Sequence, residues 1–384
     1  MEQDLSTAVA TTKSAPALPA AGARAWAKGG FVLFFLLLLL IALVQQSFSI
    51  IPLQPLDEKR EKAPRPRLSL AAVSAGAYMA AFDSYYNDRA GFRDLLIRVN
   101  NDVHRRVLGV SPKPKVILGK EGWLYWSETV EDYRKEYSFS TERALNRFCR
   151  RLTKLQAQLQ ERGMDFLFVI IPNKNSIYPE YMPDKYPRVE GPNLCELLEE
   201  KLHGTNVRLV YLRPVLQQHL GEGMLYERRG THWTYLGAYY GAAEILRELG
   251  KMYGIQYESP QTLPYKNVAR AGDLEAMVQG LVPYSEQYLR PDLVPAARGG
   301  KKLPPTLWYG DSFSNHLDRY LTPQFRSVKR LHLLQEPMRS TLQQNLPGRK
   351  LVLFVVIERS VRNSLLYQGF PDLDLPAAPP PTRQ

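Results

Sequence analysis

The sequence contains few cysteines, and this scarcity narrows the chemistry that is open to it. Cys149 and Cys195 are the only two cysteines among 384 residues, and no C-x-x-C spacing is present. The pattern therefore gives no support to a zinc site or a thiol redox motif. The two cysteines can form at most one disulfide bond. We expect neither a metal nor a cofactor.

Histidine is also scarce, with six in the chain. Four of them lie in helical or strand-like patterns without a partner motif, and these are His104, His203, His219 and His332. Two remain as candidates for acid–base chemistry. His232 lies in a short polar segment just before a predicted helix, and His316 lies four residues after Ser312. We take His232 as the main candidate and His316 as a rival base.

Basic residues outnumber acidic ones, which gives a formal net charge of +12 at pH 7 that is spread along the sequence. A basic surface suits an anionic polymer or lipid headgroups as partner, although ordinary solvated lysines and arginines explain it equally well. No nucleic-acid-binding motif is recognisable. We therefore predict no nucleic-acid partner.

One long apolar run lies near the N-terminus, where residues 31–44 carry no polar side chain. Its length is near the lower limit for crossing a hydrocarbon core of about 30 Å. A signal peptide also fits, but the long polar lead and the lack of a small-residue cleavage pair after Val44 favour an uncleaved anchor. Lys13, Arg24 and Lys28 precede the run, so we predict a cytoplasmic N-terminus and an outward-facing remainder.

Composition divides the chain into five parts. They are a cytoplasmic segment (1–28), a transmembrane signal-anchor (29–51), a Pro-rich charged linker (52–67), a folded domain (68–370) and a Pro-rich tail (371–384) that we predict to be disordered. The linker composition is typical of an extended spacer. Such a spacer would hold the folded domain away from the membrane.

Helical and strand-like patterns alternate through the folded domain. Helices are predicted at 143–162, 194–202 and 234–249, with further helical pattern over 68–108 around a loop at 85–93. Strands are predicted at 166–171, 207–212, 306–309 and 351–357, with a short strand pair at 116–125. The stretch 255–303 is predicted to be rich in loops. This alternation predicts an α/β fold whose mostly parallel sheet is covered on both faces.

Polar residues follow three of the predicted strands. Asn173, Ser312 and Arg359 each lie just beyond a strand end. In parallel sheets, ligands bind at the carboxyl ends of the strands. We therefore expect these three residues to converge on one edge of the sheet.

Ser312 is the candidate nucleophile. It lies in Gly310-Asp311-Ser312, where a strand passes into a helix, and Gly310 permits a tight turn. A serine becomes nucleophilic when a base accepts its proton and when N–H donors at such a junction receive the oxyanion. A plain helix start capped by Asp311 or Ser312 fits the same residues.

Three segments taken together resemble the alginate O-acetyltransferases, which are SGNH-hydrolase-like enzymes of the AlgJ/AlgX kind. They are G-D-S-F-S (310–314), T-H-W-T (231–234) and G-K-E-G-W-L-Y-W (119–126). Further similarity lies in 85–93, in 171–174, in 178–180 and in the Glu358-Arg359 pair. The likeness extends over residues 70–360 and is more specific than any one segment.

The resemblance carries implications for fold, site and partners. It implies an SGNH-hydrolase-like (flavodoxin-like) three-layer sandwich with a circularly permuted motif order, since His232 precedes Ser312. It implies that Ser312 accepts an acetyl group and that His232 is its general base. It also implies a polysaccharide acceptor, an acetyl donor supplied by a multi-spanning membrane O-acyltransferase, and a single-pass location in the bacterial inner membrane with the domain in the periplasm.

One departure from the family pattern concerns the carboxylate that orients the histidine. The family usually has D-x-H-W, and this chain has Gly230 in place of the aspartate. Loss of that carboxylate reduces turnover by orders of magnitude. Three interpretations stay open: a Ser-His dyad oriented by a backbone carbonyl, a catalytically silent homologue, or a carboxylate from elsewhere. The candidates for that carboxylate are Glu227, Asp311 and Glu358.

The remaining candidates concern substrate binding. Arg359, Asn173 and Gly310 are predicted near the oxyanion or a sugar, although an ion pair with Glu358 and a plain turn fit Arg359 and Asn173. Trp233 is a candidate for stacking on a sugar ring, as are Trp123 and Tyr125, although large aromatic residues usually fill the core. We predict an O-acetyltransferase acting on an alginate-like or cellulose-like exopolysaccharide. The alternatives are a carbohydrate acetylesterase and a non-catalytic polysaccharide-binding scaffold.

Overall fold

The computed structural model describes residues 21–58, 60–137, 139–258, 263–292, 295–332 and 338–363. Its helices are α1 (Ala21–Phe48), α2 (Leu70–Ser74), α3 (Ala77–Asn87), α4 (Arg93–Asp102), α5 (Val130–Tyr133), α6 (Phe139–Gln160), α7 (Lys174–Ile177), α8 (Leu194–Leu202), α9 (Arg213–Gln218), α10 (Tyr235–Tyr253), α11 (Asp273–Met277), α12 (Ser314–Leu321), α13 (Met338–Asn345) and α14 (Glu358–Ser360). Its strands are β1 (Val116–Leu118), β2 (Leu124–Trp126), β3 (Asp165–Ile171), β4 (Leu209–Tyr211), β5 (Tyr257–Glu258), β6 (Tyr265–Arg270), β7 (Glu286–Pro291), β8 (Ala296–Ala297), β9 (Thr306–Gly310), β10 (Val328–His332) and β11 (Leu351–Ile357). The predicted tail (371–384) and residues 1–20 lie outside the described residues.

The chain divides into two compact units, and the smaller one contains α1, α2 and α3. The segment Lys28–Phe48 of α1 is strongly apolar, and its side chains are almost all exposed. This helix is long and apolar enough to cross a membrane, although a signal sequence would have the same length and composition. The helix begins before the predicted Gly29 and ends at Phe48. Residues 49–51 of the predicted anchor therefore lie beyond it.

The predicted linker and loop in this unit differ from the structure in detail. The linker 52–67 is irregular, but Arg60 donates two hydrogen bonds to Asp88, which also accepts one from the Ala63 backbone N–H. The linker is therefore held at Arg60 and Ala63. Helix α3 continues to Asn87, so the loop predicted at 85–93 begins later than expected.

The larger unit is built on a five-stranded sheet with the order β10-β9-β11-β3-β4. All four neighbouring pairs are parallel, which confirms the predicted parallel sheet. Strands β3 and β11 pair along their whole length, from Leu351 opposite Asp165 to Ile357 opposite Ile171. Because β11 is apolar throughout and β3 is apolar after Asp165, they fit the centre of a sheet that is covered on both faces.

Alternate residues of the central strands enter two separate hydrophobic cores. On one face, Phe168 and Phe354 pack with α6 and α8. On the other face, Val169 and Val355 pack with α9, α10 and α12. Each large apolar side chain buried in this way contributes about 1.5–3 kcal/mol. Helices therefore lie on both sides of the sheet, and the predicted three-layer arrangement is confirmed.

The stretch 255–303 contains more regular structure than the predicted loops. Strands β6 and β7 form an antiparallel pair, and α11 lies between them in the chain. Leu274 and Val278 pack α11 against Val116 and Leu124 of the β1–β2 hairpin. The prediction was wrong because β6 is mostly exposed and lacks the apolar runs by which buried strands are recognised. This excursion contributes to the site described next.

Candidate active site

Two buried carboxylates tie together the ends of the three central strands. Asp311, at the end of β9, accepts a hydrogen bond of 2.7 Å from the Ile357 backbone N–H at the end of β11. Glu358, which follows β11, accepts one of 2.7 Å from the Asn173 backbone N–H, which follows β3. Burial raises the pKa of both carboxyl groups, although the backbone donors oppose this. The structure thus brings the three predicted strand ends to one rim.

Ser312 lies on this rim, immediately after Asp311, and is partly exposed. A Cβ atom on Gly310 would lie 2.0 Å from Oγ of Ser314, so the glycine is required by lack of space. Helix α12 begins at Ser314, and Asp311 accepts a hydrogen bond from the Phe313 backbone N–H. The carboxylate of Asp311 therefore caps the turn, and the hydroxyl of Ser312 is left for another partner.

That partner is His232. The distance from Ser312 Oγ to His232 Nε2 is 2.9 Å, across 80 residues of sequence. The histidine belongs to a short loop closed by a backbone hydrogen bond of 3.0 Å from the Glu227 N–H to the His232 carbonyl. After this loop, the Thr234 hydroxyl caps α10 by accepting from the Gly237 N–H. The predicted nucleophile and base are therefore within hydrogen-bonding distance.

Lys174 holds the loop that leads to His232. Its Nζ donates to the carbonyl oxygens of Glu227, Arg228 and Gly230, at 3.1, 3.2 and 2.6 Å. The ammonium also lies over the ring of Tyr125, 4.9 Å from its centroid. Burial lowers the pKa of Lys174 to about 7, although the charges of Asp273 and Glu227 oppose this. The lysine thus fixes the loop by three hydrogen bonds.

Asp273, the first residue of α11, lies on the other side of the imidazole. Its Oδ2 is 3.5 Å from His232 Nδ1, and the Thr231 hydroxyl lies between them, 2.6 Å from Oδ2 and 3.2 Å from Nδ1. Partial burial raises the pKa of Asp273, but the hydrogen bonds from His232 and Thr231 and the charge of His232 outweigh this and hold the pKa well below its ordinary value. The sequence analysis did not identify Asp273.

The carboxylates named from the sequence have other partners. Glu227 is buried and its Oε1 accepts from Arg270 at 2.8 Å. Asp311 and Glu358 accept from backbone N–H groups at the strand ends, as described above. The rival base His316 is buried on α12, with its ring 6.5 Å from that of His232, and burial lowers its pKa to about 4. The structure therefore places His232 at Ser312 and Asp273 at His232.

Asn173 and Arg359 both reach the site region. The Nδ2 atom of Asn173 is buried, and within the described residues it has no hydrogen-bond partner. The guanidinium of Arg359 lies over the ring of Phe313, 5.2 Å from its centroid, and burial lowers its pKa despite the nearby Asp311 and Asp273. Both side chains are therefore donors at the edge that carries Ser312.

The aromatic candidates lie in the core. Trp233 is fully buried, and its Nε1 donates to the Phe313 carbonyl at 3.1 Å. Trp123 and Tyr125 are each 1% exposed. The prediction that these rings stack on a sugar is wrong for the described structure, because no ring face is accessible. Trp233 instead links the histidine loop to the turn that follows Ser312.

The described residues also show where possible metal ligands and the two cysteines lie. Among the residues that the structure describes, no group of His, Cys, Asp and Glu is placed to hold a metal ion. Cys149 and Cys195 are both free thiols. The pairing of Ser312 with His232 is an arrangement that supports nucleophilic acyl transfer.

Comparison with known proteins agrees with this arrangement. A family model described as an SGNH hydrolase-like domain, acetyltransferase AlgX, matches residues 116–316. The chain belongs to this family, and the predicted SGNH-hydrolase-like fold is confirmed. The match includes both His232 and Ser312.

Individual relatives are more distant. The chain is 22% identical to a probable alginate O-acetylase AlgJ of Pseudomonas syringae pv. tomato over 59% of this chain and 58% of the relative, and 24% identical to that of Pseudomonas aeruginosa over 50% of each. The matches therefore span between half and three fifths of the length of those relatives. Among solved structures, the O-acetyltransferase domain of Pseudomonas putida AlgJ is 19% identical with a TM-score of 0.47, covering 67% of this chain and 96% of that domain.

Sequence reasoning missed three side chains of the site, namely Lys174, Thr231 and Asp273. Lys174 and Thr231 lie within the segments 171–174 and 231–234 that carry the family resemblance, but the sequence analysis assigned neither of them a role. Asp273 lies 42 residues after Thr231, in a stretch predicted to be loops, and no spacing marks it. Its position follows only from the three-dimensional packing of α11.

Proposed function

We propose that this protein is an O-acetyltransferase that transfers an acetyl group through an acyl-Ser312 intermediate to hydroxyl groups of an exopolysaccharide. The observation that carries the proposal is the 2.9 Å hydrogen bond between Ser312 Oγ and His232 Nε2. Membership of the acetyltransferase family supports the type of group transferred. The relatives' names mention alginate, which makes an alginate-like polymer the first acceptor to test, with cellulose-like polymers next.

The chemistry proceeds in two half-reactions. His232 Nε2 accepts the proton of Ser312 as Oγ attacks the carbonyl carbon of the acetyl donor, and the departing donor group takes that proton from the imidazolium. In the second half, His232 accepts the proton of a sugar hydroxyl, whose oxygen attacks the acyl-serine. Breaking the ester bond returns Ser312 Oγ, which regains the proton from His232.

Donors for the developing oxyanion come from the same rim. The unpartnered Nδ2 of Asn173 and the guanidinium of Arg359 are the side-chain candidates, together with backbone N–H groups after Ser312. Donors fixed in a partly dry site stabilise a tetrahedral intermediate, and removal of one costs roughly a hundredfold or more in turnover. We assign them this role because Arg359 lies over Phe313, the residue after Ser312, and the Arg359 backbone N–H donates to Asn173 Oδ1.

The cellular setting is part of the proposal. The apolar segment Lys28–Phe48 would anchor the protein in the inner membrane, with the acetyltransferase domain in the periplasm. A multi-spanning membrane O-acyltransferase would supply the acetyl group, because a single apolar helix provides no path across the membrane for an acyl donor. The polysaccharide would be acetylated outside the cytoplasmic membrane.

The test is intact-mass analysis of the detergent-solubilised full chain after incubation with an activated acetyl ester. We expect one acetyl adduct on the wild type, none on Ser312→Ala, and acylation slowed by about a hundredfold or more on His232→Ala. Added alginate or cellulose oligosaccharide should remove the adduct and become acetylated. An adduct that instead discharges equally fast to water would indicate an acetylesterase.

A folded wild-type chain that never forms the adduct, but that still binds the polymer, would contradict the proposal. Such a result would favour the non-catalytic scaffold. Circular dichroism of each variant is the control, because the loss of one side chain from a partly exposed pair should leave the fold unchanged.

A further inference from the structure

We infer that Asp273 is the positioning carboxylate of His232, delivered from α11 outside the histidine loop and acting together with the Thr231 hydroxyl. The inference rests on the proposed acyl-serine function of Ser312 and His232. It assigns to Asp273 and Thr231 the orientation of the imidazole, which the chain does not provide at Gly230. Asp273 contacts the base and not the reacting atoms, so it acts through His232.

The first argument is the pattern of donors and acceptors. The Thr231 backbone N–H donates to Asp273 Oδ1 at 2.6 Å, and the Thr231 hydroxyl donates to Oδ2 at 2.6 Å. A hydroxyl has one hydrogen, so once it is given to Asp273, the oxygen of Thr231 can only accept from Nδ1 of His232, 3.2 Å away. The Oδ2 atom, 3.5 Å from Nδ1, is a second acceptor.

This pattern selects one tautomer of the imidazole. With only acceptors facing it, Nδ1 has to carry the hydrogen, and Nε2 is left with a lone pair. That lone pair faces Ser312 Oγ at 2.9 Å, as a general base requires. The negative charge of Asp273 also stabilises the imidazolium formed when the proton is transferred.

The second argument is that the backbone is shaped to admit this carboxylate. Gly272, just before Asp273, has φ +87°, and a Cβ there would lie 2.4 Å from the Arg229 carbonyl oxygen. A Cβ on Gly230 would lie 2.1 Å from Glu227 Oε2 and 3.1 Å from Asp273 Oδ1. The two glycines therefore let the histidine loop and the start of α11 approach each other, and the space beside Gly230 is already occupied by carboxylates.

Further contacts hold α11 against the loop. The Glu275 backbone N–H donates to the Arg229 carbonyl at 2.9 Å, and the Glu275 side chain pairs with Arg229 and Arg105. Because Glu275 is buried, these ion pairs are protected from water. Gly272, just before Asp273, and Glu275, two residues after it, therefore both lie against Arg229 of the histidine loop.

The experiment measures the rate of acetyl-Ser312 formation on the full chain in detergent for wild type, Asp273→Asn and Thr231→Val. We expect Asp273→Asn to slow acylation by about a hundredfold to ten-thousandfold and Thr231→Val to slow it less. Asp184→Asn is the matched control, because the Asp184 side chain is 89% exposed and pairs with Lys120 on the surface. The control should acylate at the wild-type rate.

Two further readouts separate a positioning role from a structural one. The acidic limb of the pH–rate profile should move to lower pH in Asp273→Asn, because the imidazolium loses a neighbouring negative charge. Nitrogen-15 NMR of the wild-type histidines should show His232 with its hydrogen on Nδ1, and in Asp273→Asn a mixture of both tautomers. The NMR measurement does not depend on turnover.

The outcomes distinguish this inference from the proposed function. If the wild type forms the adduct and Asp273→Asn acylates at the same rate with an unmoved acidic limb, the inference is wrong and the acyl-serine function stands. If the wild type forms no adduct, the proposed function is wrong, and the tautomer of His232 still decides whether Asp273 orients it. A wild-type His232 with its hydrogen on Nε2 would overturn the inference directly.

Discussion

The two sides of the site use carboxylates in opposite ways. On the strand side, Asp311 and Glu358 are buried, each accepts a backbone N–H from a neighbouring strand end, and burial raises the pKa of both. On the loop side, Asp273 is 39% exposed at its side chain, faces Thr231 and His232, and has its pKa lowered by them. The comparison shows that the hydrogen-bond partners of a carboxylate, more than its nearness to Ser312, decide whether it links strand ends or contacts His232.

The two imidazoles show the same contrast. His316 belongs to the strand side, on the helix after Ser312, and is buried so that its neutral form is favoured. His232 belongs to the loop side, keeps 22% of its side chain exposed, and has hydrogen-bond partners at both nitrogens. The strand side therefore carries the more deeply buried groups, and the loop side carries the partly exposed imidazole to which we assign proton transfer.

The largest expected effect is the loss of Glu358. Replacing it by alanine removes the acceptor of the Asn173 N–H and of the Ser176 hydroxyl, and one of the two acceptors of the Asn193 amide. Each unsatisfied buried donor costs about 1–3 kcal/mol, so Glu358→Ala should lower the free energy of unfolding by about 4 kcal/mol. Chemical denaturation measures it. Glu161→Ala, at an exposed position, is the control and should change stability by less than about 0.5 kcal/mol.

The pH dependence of stability gives the next effect. Because burial lowers the pKa of His316 from 6.5 to about 4, the unfolded chain binds this proton more tightly between those values. Stability should therefore fall as the pH drops from 6.5 to 4, by up to about 3 kcal/mol from this residue. His316→Phe should lose that part of the slope. If the difference in free energy of unfolding between wild type and His316→Phe stays constant from pH 6.5 to 4, another group causes the pH dependence.

The same substitution at two aspartates gives the sharpest test of the comparison. In Asp311→Asn, an amide NH2 replaces one carboxylate oxygen and faces a backbone N–H or the Ser360 hydroxyl, which donated to that oxygen. Because two donors cannot form a hydrogen bond, this substitution should lower the free energy of unfolding by about 2 kcal/mol. Asp273→Asn should cost less than about 1 kcal/mol, because its surroundings are partly exposed. Thermal denaturation measures both. If Asp311→Asn and Asp273→Asn lower the stability equally, the distinction between the strand side and the loop side is wrong.

Much of the fold follows from the sequence, because its central elements carry strong patterns. The apolar runs of β3 and β11 can only be buried on both faces, and helix α8 was predicted with its observed bounds. The site could be predicted where it coincides with strand ends and a recognisable motif, as for Ser312 and His232. Their mutual hydrogen bond is an observation of the structure.

The parts of the fold and of the site that the sequence did not predict share a physical reason. Strand β6 has mostly exposed residues, and α11 is only five residues long, so neither has an apolar period that a sequence can display. The carboxylate at Asp273 depends on two glycines that allow a close backbone approach. Gly230 was interpreted as the loss of a carboxylate, because a sequence shows which side chain is absent but not what fills its space.

The order of strands also bears on how the site is assembled during synthesis. Strand β11 is the last strand of the described chain, yet it lies between β9 and β3 at the centre of the sheet. Until residues 351–357 have emerged from the ribosome, Asp311 lacks its Ile357 partner and β9, which precedes Ser312, has no inner neighbour. Growing chains therefore carry an open seam in the sheet, and the turn at Ser312 is tied to the centre of the sheet only after that seam closes.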